Sequence, residues 1–365
     1  MSSFFGAQDC MRRGIVRSGV TAIAAIAAVA LAGCGGSGGG GAGEAGAGAV
    51  LPDASIGEDV ALVIHLDGET MSPDRLRASA MAMLESIPED SAEQRQEAIA
   101  KLDEAIAEYR PIYGELKSEG ARAVTMAFAP PTDDSAVGEG EGVMLVRTDA
   151  GADLAAIRQS LIAFSETQGE PMPETVQIEK LDDTWGYFTG KTDEGQALRA
   201  PSGGSAEATA AFQDALDNVP GGAKLAFRMT SSLKAQAAEN LQQAPPFLAG
   251  FTAPLQDLNF AVVGMSTGSS PTATAQMNFA DEAAAEGFLN AWNGLLGFVK
   301  GMAQGQLSQM PDPPDPAVVE GVFSSLTMSQ DGSTLSMTLD RAFLDHVAAL
   351  APTVGPAVTR PGGPF

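Results

Sequence analysis

The feature that most constrains this chain is a pattern of strands and helices that runs through it twice. Alternating apolar residues at Val60, Leu62, Ile64 and Leu66 predict a half-buried strand. The stretch Lys224 to Met229 repeats the alternation of Ala61 to Leu66. Each of these strands precedes a helical spacing, Leu76, Ala80, Met83, Leu84 and Ile87 in the first copy and Leu233, Ala237 and Leu241 in the second. The first copy adds a helical stretch from Ala92 to Leu116, with Pro111 expected to kink it. A strand pair follows in both: Val124-Met126-Phe128 with Val143-Leu145, then Leu258-Phe260-Val262 with Ala273-Ala275-Met277-Phe279. A helix comes next, marked by Leu154, Ile157, Leu161 and Phe164, or by Ala284, Phe288, Trp292, Leu295, Val299 and Met302.

Both copies then predict a hairpin and a short closing helix. Val176–Ile178 and Trp185–Thr189 turn at Asp182-Asp183, whereas Val322–Met328 and Leu335–Leu339 turn at Asp331-Gly332, a favoured tight-turn pair. The closing helices carry Phe212, Leu216 and Val219, and Phe343, Val347 and Leu350. The expected fold class is therefore α+β: two tandem β-α-β-β-α-β-β-α units, with ferredoxin-like (split βαβ) antiparallel sheets and helices on one face. The units are expected at residues 56–220 and 221–350, with a disordered tail over 351–365. The other sheet face needs cover, and its mild residues Ala123, Thr125, Ala127 and Ala129 favour contact between sheets or units.

Composition narrows the function. The 365 residues are 44 % apolar, enough to bury real cores. The two cysteines, Cys10 and Cys34, both precede the folded part, which excludes disulfide, thiol-nucleophile and thiolate-metal chemistry there. From Cys34 onward the chain carries 18 basic and 45 acidic residues, a net charge of −27. Such a body repels phosphate backbones and anionic headgroups, so nucleic acid is excluded as a partner. Any membrane attachment must use a covalent or apolar anchor.

Arg12, Arg13 and Arg17 precede an apolar run from Val20 to Ala32, too short for a bilayer core that needs roughly 20 helical residues. The run ends in Leu31-Ala32-Gly33-Cys34, which resembles the lipobox of bacterial lipoproteins. The resemblance implies a signal peptide over residues 1–33, export, cleavage between Gly33 and Cys34, and acylation of the Cys34 thiol. Translation starts at Met1 or at Met11, where the compact signal would begin Met-Arg-Arg. Residues 34–55 are then the lipidated cysteine and a tether, nearly all Gly and Ala from Gly35 to Gly48, with an r.m.s. reach near ~20 Å. Gly35 lacks the aspartate that retains some lipoproteins at the inner membrane, which favours the outer membrane.

Sequence motifs give no complete catalytic set. Gly264-Met265-Ser266-Thr267-Gly268 spells G-x-S-x-G with His346 downstream, but a nucleophile elbow needs a helix after the serine, and here Thr272 to Phe279 reads as another strand. Ser231-Ser232-Leu233-Lys234 fits S-x-x-K, but the companion S-D-N and K-T-G elements are absent and Thr230 or Ser231 as a helix N-cap explains the same residues. Gly190-Lys191-Thr192 lacks the spacing of a phosphate loop. His65 and His346 have no metal-site spacing, and the acidic stretches Asp133-Asp134, Glu139–Glu141 and Asp312–Asp315 lack EF-hand spacing. Neither metal nor cofactor is expected. Gly287, Gly294, Gly297 and Gly301 are costly in a helix interior and suggest that a neighbouring element comes close, making this helix the candidate groove.

The expected function is a lipid-anchored binding or interaction module of the cell envelope, without enzymatic activity. Its expected partners are the membrane, through lipid on Cys34, and an envelope protein or a small apolar ligand. Two other readings stand beside it: a serine hydrolase using Ser266 and His346, and a structural envelope component with a protein partner.

Overall fold

The structure, a computed structural model, describes residues 50–85, 92–129, 142–167, 176–191, 197–198, 204–242, 250–309, 313–343, 345–347 and 349. Cys34, the Gly/Ala run, the acidic stretches at 133–134 and 139–141, Asp312 and the tail 351–365 lie outside them. The chain is mixed helix and antiparallel sheet, as expected of the α+β class. Its described residues cluster into two compact units: one takes Val50–Leu76 and those within Glu104–Phe227, the other those within Arg77–Asp103 and from Arg228 onward.

In chain order the first part runs β1 (Leu62–Asp67), α1 (Pro73–Glu85), α2 (Ala92–Ser118), β2 (Ala121–Phe128) and β3 (Gly142–Thr148). It continues with α3 (Leu154–Thr167), β4 (Gln177–Lys180), β5 (Trp185–Lys191), β6 (Ala197–Leu198), α4 (Ala206–Asp217) and β7 (Ala223–Arg228). Within the first unit β1 lies between β7 and β2, β2 pairs with β3, β3 with β5, and β5 with β4; the full-length strand pairs are all antiparallel. This corrects the ferredoxin-like expectation. A split βαβ sheet sets its first strand between its third and fourth, whereas β1 here pairs directly and antiparallel with the next strand in sequence. The strand expected to open the second copy, β7, pairs with β1 in the first unit.

Both faces of this sheet are covered, which corrects the expectation of helices on one face only. One face, with Leu66, Val124, Val146 and Gly186 in register, receives α3: the Leu154 side chain sits against Gly186, and Ile157 is fully buried. The opposite face carries Val63, His65, Ala123, Thr125 and Ala127, all buried, and its cover comes from the same unit. The stretch Val50–Ile56 and α4 lie over it, with Phe212, Leu216 and Val219 completely enclosed. Ser205 caps α4 by accepting from Ala208 N at 3.2 Å. Burying a phenylalanine or leucine of this kind contributes roughly 1.5–3 kcal/mol.

The second part runs α5 (Ser231–Gln242), α6 (Thr252–Gln256), β8 (Leu258–Ser266), β9 (Thr272–Phe279), α7 (Glu282–Leu307), α8 (Pro316–Ser325), β10 (Ser329–Asp331) and β11 (Thr334–Leu339). Its sheet order is β8-β9-β11-β10, antiparallel throughout, the same plan as β2-β3-β5-β4 in the first unit. The repeat legible in the sequence thus reappears as a repeated strand order. The strand expected over Val322–Met328 is absent: Val322–Ser325 is helical and Leu326–Met328 links it to β10. Asp315 accepts from Ala317 N at 2.8 Å and Pro316 occupies the first turn, a start signal that carries the chain into α8 before β10 begins at Ser329. Helix α7, capped by Asp281 through Ala284 N at 2.8 Å, lies across β9, β10 and β11. Phe251, Leu258, Phe279, Phe288 and Leu335 form its core.

Candidate functional site

Three places matter: the point where the chain enters the body, the serine and histidine motifs, and the long helix of the second unit.

At the entry point the backbone of Val50–Ile56 is held by α4. Gln213 Oε1 accepts from Val50 N at 2.9 Å and Leu51 N at 3.0 Å, and Thr209 Oγ1 accepts from Ile56 N at 3.0 Å. Ile56 O accepts from Ser205 N at 2.9 Å. The turn between them requires Ala54 at φ 49°, a left-handed conformation costly for a residue with a Cβ. Gly204 fits against this turn because it has no side chain, and a methyl there would collide with the Ala54 carbonyl. Val50, Leu51 and Ile56 are buried.

Beneath this segment His65 is 3 % exposed. Its Nδ1 lies 2.9 Å from Thr125 Oγ1, and Thr125 Oγ1 donates to Val50 O at 3.3 Å, so a neutral imidazole with Nδ1–H completes the chain of bonds. Burial, and secondarily the positive charges of Arg147 and Lys224, push the His65 pKa down to about 3. Lys224, half-buried with Nζ donating to Leu216 O at 2.8 Å, is also lowered by desolvation. His65 is thus a structural, neutral histidine, and the entry segment is bonded to it through Thr125.

The hydrolase pair does not assemble. Ser266 ends β8, its Oγ 2.7 Å from Thr272 Oγ1 and accepting from Thr272 N at 3.2 Å, so the hydroxyl ties the two strands of a hairpin. Strand β9, not a helix, follows the G-x-S-x-G turn, and Gly268 at φ 128° donates its N–H to Ser79 Oγ at 2.7 Å. The His346 ring lies against the backbone of Gly321 in α8. Among the described residues no hydrogen bond joins Ser266 to His346. The S-x-x-K serine opens α5, where Thr230 Oγ1 faces Leu233 N at 3.5 Å and Thr230 O accepts from Lys234 N at 2.9 Å, a helix-start arrangement. Gly190 and Lys191 close strand β5. Among the described residues no group of three or more His, Cys, Asp or Glu is placed to hold a metal ion.

Helix α7 departs from the expected groove. Among the described residues Gly287 meets a close neighbour, the Pro254 ring at 3.3 Å from a Cβ position, whereas Gly294, Gly297, Gly301 and Gly305 have none within 4 Å. The stripe residues Phe288 and Ala285 are buried, and Trp292 Nε1 donates to Leu326 O at 2.9 Å. Val299 and Met302, expected on the same buried stripe, are instead exposed, as is Phe298. The physical reason is length. At about 1.5 Å per residue the 26-residue helix spans ~39 Å, whereas the eight-residue β9 beneath it spans ~27 Å, so the helix outruns its sheet by about two turns. No described helix is long and apolar enough to cross a membrane.

No family model matches the chain, and no curated protein matches it. Among solved structures, crystal form III of TP0453 aligns with 82 % of this chain and 98 % of its own at 10 % identity and a TM-score of 0.34. Crystal form IV of TP0453 gives 9 % identity and a TM-score of 0.32 over 82 % and 97 %, and form I gives 9 % and 0.30 over 84 % and 98 %. Likeness of this degree carries neither fold nor function to this chain.

Proposed function

We propose that this chain is a lipid-anchored protein of the bacterial cell envelope whose folded units bind a partner rather than catalyse a reaction. One observation carries the reading: Leu31-Ala32-Gly33-Cys34 ends a short apolar run and opens a Gly/Ala stretch, beyond which Gln213 holds Val50 N. That order suits an acyl anchor, a tether of about 20 Å reach, and a body held off the membrane. The outer membrane suits Gly35, and the partner is an envelope protein or a small apolar ligand. Commitment of the Ser266 hydroxyl to Thr272 weighs against the hydrolase alternative.

The test is metabolic labelling with an alkyne analogue of palmitate, followed by membrane fractionation. The native chain is expected to carry label and to sediment with the outer membrane. Cys34→Ser is expected to lose the label. Equal labelling of both forms would overturn the proposal.

A further inference from the structure

We propose that Val50–Ile56 is a releasable strap: it lifts while the rest of the first unit stays folded, and an uncharged apolar small molecule takes its place between α4 and the sheet. This assigns a site to the small apolar ligand of the function proposed above, and rests on that reading for the class of ligand.

The strap is attached in a way that lets it leave alone. Its backbone belongs to no strand or helix. Gln213 Oε1 accepts from Val50 N and Leu51 N, Thr209 Oγ1 accepts from Ile56 N, and Thr125 Oγ1 donates to Val50 O. Ser205 N adds a backbone bond to Ile56 O. Breaking these bonds disturbs no strand ladder, so the sheet and α4 survive release. The closed position also carries two costs that release removes. Among the described residues Ala54 is the one non-glycine residue at positive φ, at 49°, and Ser55 Oγ is the one buried side-chain polar atom without a hydrogen-bond partner. The two are neighbours within the strap. Once it lifts, Ala54 adopts an ordinary backbone conformation and water reaches the Ser55 hydroxyl. The conformational freedom of the whole segment is regained as well.

The space it leaves is apolar. Val50, Leu51 and Ile56 are buried, so release vacates room for their aliphatic side chains. The walls left behind are Val63, Thr125 and Ala127 of the sheet and Thr209, Phe212 and Gln213 of α4, none of them charged. An apolar molecule regains the burial that the strap gives up, and Gln213 Oε1 and Thr209 Oγ1 offer acceptors for a hydroxyl or amide group on it. A carboxylate is the poorer fit. Lys224, in register with His65 on this face, already donates to Leu216 O, and the whole chain has a net charge of −25.

The experiment uses the chain from residue 34 carrying Cys34→Ser, so that no acyl group contributes, with neutral N-phenyl-1-naphthylamine as the probe. Deuterium exchange is followed by mass spectrometry on the peptide holding Val50–Ile56 and on peptides of β1 and β2. Without probe, the strap amides are expected to exchange faster than the strand amides and at a rate unchanged by about 1 M urea, which accelerates the strands. With probe at about 100 times its Kd, strap exchange should rise at least about tenfold while strand exchange falls, because the probe binds the open form. A molecule bound anywhere else leaves strap exchange the same or slows it. Gln213→Ala, which loosens the strap, should tighten probe binding at least about fivefold. Strap and strand amides that share one rate and one urea dependence would overturn the release. Absence of saturable probe fluorescence, or binding that leaves strap exchange unchanged or slower, would overturn the site. So would a dimer formed by Gln213→Ala, since the strap of a second copy would then fill the cleft. None of these outcomes bears on palmitate labelling of Cys34, so the anchor and this site fail separately.

Discussion

Acidification should destabilise the first unit through His65, by an amount the structure sets. Its imidazole is held neutral at the centre of the unit, with a pKa of about 3 against 6.5 when exposed. Because the folded-state value is depressed, the unfolded chain binds the extra proton first. Stability is fully present above about pH 6.5 and falls as the pH drops towards 3. Integrating the linkage relation between those two values gives a loss of about 2 kcal/mol from pH 7 to pH 5 and about 3 kcal/mol by pH 4. Other groups titrate over the same range, so the measurement is a difference. His65→Asn keeps a donor near the position of Nδ1, facing Thr125, but cannot titrate. Urea unfolding followed by the fluorescence of Trp185, buried in the same unit, should show the native chain losing about 2 kcal/mol more than His65→Asn between pH 7 and pH 5. Equal losses in the two proteins would refute the account of a desolvated, neutral His65.

The other expectations concern single contacts. Ala54→Gly should stabilise the protein by about 1 kcal/mol by relieving a left-handed alanine, whereas Gly204→Ala should destabilise it by more than about 2 kcal/mol; thermal melts check both signs. Gln213→Ala removes the acceptor shared by Val50 N and Leu51 N, at a cost of about 1–3 kcal/mol, and should open the entry segment to limited proteolysis near Val50 while the native chain resists it. Ser266→Ala should lower stability by about 1 kcal/mol through loss of the Thr272 bond and leave fluorophosphonate labelling of the protein unchanged; loss of labelling would revive the hydrolase reading.

Periodicity revealed the repeat because strands β2, β3, β8 and β9 and helices α3 and α7 each carry a pattern longer than one turn or pleat. It did not reveal pairing, since alternation says which residues share a face and nothing about which strand comes next to them. That is why β7 was expected in the second copy although its hydrogen bonds run to β1. The need to cover Ala123, Thr125 and Ala127 was legible in their small size, but the source of the cover was not. Gln213 and Thr209, which bring Val50–Ile56 across that face, are polar residues on a helix and look like solvent-facing positions. The short apolar run Val322–Met328 fits either element, and the Asp315-Pro316 start signal is the feature that makes Val322–Ser325 helical. Phe298 and the outer stripe residues Val299 and Met302 could be found only by comparing helix length with strand length, since a stripe looks the same whether or not a sheet lies beneath it.

The central claim is that Cys34 is the anchored first residue of the mature protein. Mass spectrometry of the intact protein extracted from membranes tests it most directly. The account predicts a chain beginning at Cys34 whose mass exceeds that of the polypeptide by a thiol-linked diacylglyceryl group. A chain that begins upstream of Cys34 with a free thiol would contradict it.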